Sequence, residues 1–134
     1  MKFDLYRVIQ PVRDIEAAVR FYSRVLRIHG ERVSPGRHYF SCGHTILACY
    51  DPAADGDAIG NGWLHHGSQY IYFATTELEA ALVSVRDAGG EIDAPIQTMP
   101  WGERMFYAKD PFGNPISFVD ERTVFRGSDG AKGP

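Results

Sequence analysis

Cysteine is scarce in this chain: Cys42 and Cys49 are the two among 134 residues, too few for a disulfide framework. Both are expected to be reduced thiols, the usual state in the cytoplasm. Long apolar runs are also missing. No stretch approaches the roughly 20 residues that a bilayer-spanning helix needs, so no membrane partner is expected. The opening Met1-Lys2-Phe3-Asp4 lacks the apolar core of a secretory leader, and a cytoplasmic protein is the expectation. Basic patches are absent too: no two Lys or Arg residues are adjacent and the formal net charge is −3. A nucleic-acid binder would show a basic face, so no nucleic-acid partner is expected. What remains is an ordinary globular mixture, 44% hydrophobic and 23% charged, long enough to bury one core.

The chain contains an internal repeat. Asp14-Ile15-Glu16-Ala17-Ala18-Val19 is echoed 63 residues later by Glu77-Leu78-Glu79-Ala80-Ala81-Leu82. Each copy follows a strand-like run, residues 6–12 and 69–74, the second rich in aromatic and β-branched types. Each copy then reads as a helix. In the first, Asp14 is placed to cap, and Ile15, Ala18, Val19, Tyr22, Val25 and Leu26 recur at three- and four-residue spacing. In the second, Thr76 and Glu79 have capping-box spacing, Leu78, Ala81, Leu82, Val85 and Ala88 form the stripe, and Gly89-Gly90 ends it. These stripes are expected to be core rather than cofactor contacts.

Short strands follow each helix, predicted at 31–34, 37–41 and 45–50, and at 91–93, 104–109 and 115–120. Asp110-Pro111-Phe112-Gly113-Asn114 supplies the turn of the last hairpin. The expected fold is α+β, two βαβββ modules whose curved half-barrel sheets surround a cavity. One domain is expected over 1–126, with modules at about 1–50 and 69–122, a connection at 51–68 and a flexible tail at 127–134.

Val12-x-Asp14, a helix bearing Phe21-Tyr22 and Val25-Leu26, and the later Asp110-Pro111-x-Gly113-Asn114 turn together resemble the vicinal oxygen chelate superfamily. That group contains glyoxalases, bleomycin-resistance proteins and extradiol dioxygenases. The resemblance covers residues 6 to about 121. The stretch Pro100-Trp101-Gly102-Glu103-Arg104-x-Phe106 is similar to the corresponding stretch of the bleomycin-resistance type, which sequesters an antibiotic without chemistry. One departure is Arg27, where relatives usually carry glycine.

The resemblance implies a homodimer and, in metal-dependent members, four inward ligands, His on each module's first strand and Glu or a relative on each last strand. Here those positions map to Arg7, Leu47, Tyr70 and Ser117. Arginine is permanently cationic and offers no lone pair, so neither metal nor other cofactor is expected. His29, His38, His44, His65 and His66 are expected mostly in loops and turns, with His65-His66 beside Trp63 as the place for a displaced metal. Strand alternation puts Arg7, Leu47, Cys49, Tyr70, Tyr72 and Ser117 on the cavity wall, and Trp101, Arg104 and Phe106 near its rim. Flat rings, hydroxyls and guanidinium groups suit a planar or anionic organic ligand. Metal-free sequestration of such a molecule, of the antibiotic-resistance type, is the expected function. The alternative is a metal-dependent lyase or dioxygenase with a displaced metal site. No catalytic residue can be assigned.

Overall fold

The computed structural model describes residues 2–58 and 67–126. His65, His66, Trp63 and the tail at 127–134 therefore lie outside the described residues. The first module runs β1 (Arg7–Pro11), α1 (Ile15–Leu26), β2 (Glu31–Ser34), β3 (Arg37–Cys42) and β4 (Thr45–Tyr50). The second runs β5 (Ile71–Thr75), α2 (Leu78–Asp87), β6 (Glu91–Ile92), β7 (Gln97–Thr98), β8 (Arg104–Lys109) and β9 (Pro115–Asp120).

Both modules have the same topology. One sheet has the order β1-β4-β3-β2 and the other β5-β9-β8-β6, with β7 also on β8. In each, the first strand lies parallel to the last and the remaining pairs are antiparallel. A parallel neighbour requires a long crossover, and the helix with the strands that follow it supplies it. The α+β architecture of two open, curved sheets is thus established.

Local chemistry explains where the helices begin and end. Asp14 is extended at the N-cap of α1, and its Oδ1 accepts from Ala17 N at 3.1 Å, satisfying one of the helix's free donors. At α2 the cap differs from the expected box. Glu77 occupies the N-cap without a side-chain bond. Glu79 instead pairs with Arg104, so the Thr76–Glu79 spacing was a coincidence of composition.

The helices bury their apolar stripes against one face of each sheet. Phe21, Tyr22, Phe40, Leu47, Phe106, Ile116 and Phe118 belong to one continuous core. A buried polar cluster joins the modules within it. Gln10 Nε2 donates to Tyr22 Oη at 2.9 Å, and Tyr22 Oη donates to Asp110 Oδ2 at 2.6 Å. Asn114 Nδ2 donates both to Asp110 Oδ2 and to Pro11 O, each at 2.8 Å. Asp110 Oδ1 takes the remaining turn amides, Phe112 N and Asn114 N. Burial raises the Tyr22 pKa well above its usual value, and the Asp110 charge adds to the shift. The phenol therefore stays a donor. Among the described residues no helix is long and apolar enough to cross a membrane.

Candidate functional site

Because β1 lies parallel to β4 in the register Arg7↔Ile46, Ile9↔Ala48 and Pro11↔Tyr50, these residues share the sheet face turned away from α1. The antiparallel β3 adds Ser41, Tyr39 and Arg37 to the same rows. Arg7 is exposed on this face. Its guanidinium sits 5.4 Å from the centroids of both the Tyr6 and Tyr39 rings, and Nη1 donates to Tyr39 Oη at 3.2 Å. A cation between two ring faces is held in place while its outer N–H groups stay free to bind. Farther along, Arg37 lies over Tyr50, 4.0 Å from the centroid, and pairs with Asp55. Burial opposes the Asp55 charge, but Ser34, the Gly36 amide and Arg37 outweigh it and lower its pKa.

The second sheet offers a different, aromatic surface. Tyr72, Ser117 and Tyr107 are cross-strand neighbours. The Tyr70 ring lies 5.3 Å from Tyr107 and 6.3 Å from Tyr72. Burial raises the Tyr72 pKa, the neighbouring Tyr107 and the Glu103 charge act the same way, and Ser117 acts in the opposite direction. Glu103 also accepts from Trp101 Nε1 at 2.9 Å, so Trp101, exposed on the loop before β8, belongs to the edge of this surface. Ser117 Oγ is fully buried, near enough to the Tyr72 hydroxyl to lower its pKa though outside hydrogen-bonding geometry.

Four expected site residues lie elsewhere. Leu47 and Cys49 pair with Val8 and Gln10, share their helix-facing side, and are buried in the core. Burial, with the Asp110 charge and Cys42 acting the same way, pushes the Cys49 thiol far up. Phe106 pairs with Phe118 and stacks on it at 5.1 Å, under α2 rather than at a rim. Arg104 is on that same side, bound to Glu79 and, at 3.5 Å, to Asp120. His38 is not in a loop but in β3, buried, with Nε2 2.8 Å from His29 O. Among the described residues no hydrogen bond, ion pair or ring contact links the Arg7 group to the Tyr70 group. Each module carries its own half of a surface.

A sequence profile of the Glyoxalase/Bleomycin resistance protein/Dioxygenase superfamily matches residues 5–118. The chain belongs to this superfamily. Solved structures agree on the fold. A glyoxalase-related enzyme from Fulvimarina pelagi is 21% identical with a TM-score of 0.75, covering 95% of this chain and 94% of that one. An integron cassette protein from the mobile metagenome of V. cholerae is 27% identical, with a TM-score of 0.67 and coverage of 90% and 97%. A lactoylglutathione lyase from Agrobacterium tumefaciens is 20% identical, with a TM-score of 0.66 and coverage of 91% and 97%. No curated protein matches.

In metal-dependent members of the superfamily a divalent ion would be held by side chains from the first and last strands of the two modules. The repeat places Arg7 opposite Tyr70 in the two modules. In the observed register Ile9↔Ala48 matches Tyr72↔Ser117, so the module-one counterpart of Ser117 is Ala48 and not Leu47. Arg7, Ala48, Tyr70 and Ser117 provide no imidazole and no carboxylate, the donors a divalent ion requires. Among the described residues no three of His, Cys, Asp and Glu are grouped to hold one. The donor set does not fit a metal at this place.

Proposed function

We propose that the protein binds a planar organic anion, without a metal, on the open faces of its sheets. It sequesters the molecule, in the manner of the antibiotic-resistance members, rather than transforming it. The observation that carries this reading is the Arg7 guanidinium, fixed between Tyr6 and Tyr39 where metal-dependent relatives need an uncharged donor. Tyr70, Tyr72 and Tyr107 add stacking area. Ile9 and Tyr72 remain about half exposed on these faces, and Tyr6 is 60% exposed. Apolar area of that kind is normally covered, and a second copy of the chain that joins the two half-surfaces is the proposed cover. Nothing in this arrangement requires the chain to be an enzyme.

The test uses 2-naphthoate, a flat aromatic carboxylate. It should raise the melting temperature of the metal-stripped protein, because a ligand that binds only the folded state stabilises it by mass action. Arg7→Ala removes a charge-assisted contact worth about 1.5–3 kcal/mol, so binding should weaken roughly tenfold to a hundredfold. Unchanged affinity in that variant would remove the basis for the proposal. The enzymatic alternative takes its support from the lactoylglutathione lyase among the similar structures. It requires ligands from outside the described residues, such as His65 and His66. One tightly bound divalent ion per chain in the purified protein would favour it.

A further inference from the structure

The two seams between the modules are related by the repeat but are filled differently. At one, the five-residue turn between β8 and β9 reaches the end of β1 beside α1. There it seats Asp110 and Asn114 in the buried cluster, and Asn114's carboxamide donates to Pro11 O on the free edge of β1. Phe112 of the same turn packs against the core. At the other, the β3–β4 turn faces the end of β5 beside α2. That turn has only Gly43 and His44 between Cys42 and its pair Thr45, too few residues to repeat the plug. A cleft of about 430 Å³ is left, lined by Val25 and Leu26 of α1, Cys42, Phe73, Ala81 and Phe118.

We propose that this cleft is a second binding site, for an uncharged aromatic carboxamide. Its volume falls within the range of small-molecule sites. No charged side chain lines it, so it has nothing to compensate a buried anion or cation. β5 is the outer strand of its sheet, and an outer strand presents unpaired main-chain N–H and C=O groups along its free edge. The occupant therefore supplies what the sequence supplies at the related seam, an aromatic ring for the core and an amide for the strand edge. The cleft borders the open face of the second sheet at Tyr72 but does not include Arg7, and the carboxamide proposal does not depend on the proposed anion binding.

Cys42 provides the readout, because it is partly exposed whereas Cys49 is fully buried. Iodoacetamide should alkylate Cys42 and spare Cys49, as followed by peptide mass mapping. Naphthalene-2-carboxamide near saturation should slow Cys42 alkylation at least threefold. Its isosteric anion 2-naphthoate should not slow it, even where it shifts the melting temperature. Ala81→Phe, which fills the cleft from α2, should abolish the protection; Ala81→Met is the smaller filler if that variant does not fold. Absent protection in the native chain, equal protection by the carboxylate, or protection that survives the filled cleft would each overturn the proposal. Failure of 2-naphthoate to bind anywhere would count against the anion reading alone.

Discussion

Arg27 ends α1 in the left-handed region at φ 58°, the one non-glycine residue to do so among the described residues. An L side chain there costs roughly 1–2 kcal/mol. Its ion pair with Glu77 at 3.3 Å joins two side chains that are both more than half exposed, and such pairs contribute about 0–1 kcal/mol. Glycine loses some ground through its freer unfolded chain. Arg27→Gly should therefore stabilise the protein by about 0.5 kcal/mol, seen as a higher urea midpoint at unchanged slope. A lower midpoint would mean the Glu77 pair outweighs the backbone strain. The departure from glycine at this position was visible in the sequence; that the backbone nevertheless keeps the left-handed turn was not. Leu47 and Phe106 show a related limit. Alternation assigns residues to two faces, but which face is inward depends on the neighbouring strand's register. Phe106 lies opposite Phe118, and the five-residue turn between them hides that pairing from a reading of either strand alone.

At the scale of elements, the repeat was the most legible feature, because helix stripes and strand runs recur at a fixed offset and both helices follow it. The seam between modules was not legible. Gln10 is a polar residue on the helix-facing side of β1, and only the fold reveals that Tyr22 receives it and Asp110 in turn receives Tyr22. The four-residue cluster sets the cost of disturbing that junction. Tyr22→Phe removes a hydroxyl that both accepts and donates, leaving Gln10 Nε2 without its acceptor and Asp110 Oδ2 with one donor fewer. Such unsatisfied groups cost about 1–3 kcal/mol, more where a charge is involved. The variant should lose at least that much stability in urea unfolding, and Gln10→Leu in the same background should recover part of it. Additive losses from the two substitutions would show that they do not act as one network.

At the scale of the whole molecule, ion-paired carboxylates make stability fall in acid. Arg122 and its backbone amide hold the Asp120 pKa down to about 2, and Arg104 holds Glu79 below its ordinary value. A carboxylate with a depressed folded pKa contributes stability that is fully present above its unfolded value near 4. That contribution is lost as pH falls through the folded value. The melting temperature should accordingly decline between about pH 4 and pH 2, and Asp120→Asn should flatten that limb while leaving the neutral region's slope unchanged. An identical acid limb in the variant would show that Asp120 is not among the groups responsible.

The clasp from Asn114 to Pro11 spans 103 residues, so the free edge of the first strand gains this partner only once the last hairpin has been made. A polypeptide interrupted before the last hairpin would keep the Gln10–Tyr22 bond but leave the Tyr22 hydroxyl and the Pro11 carbonyl to water.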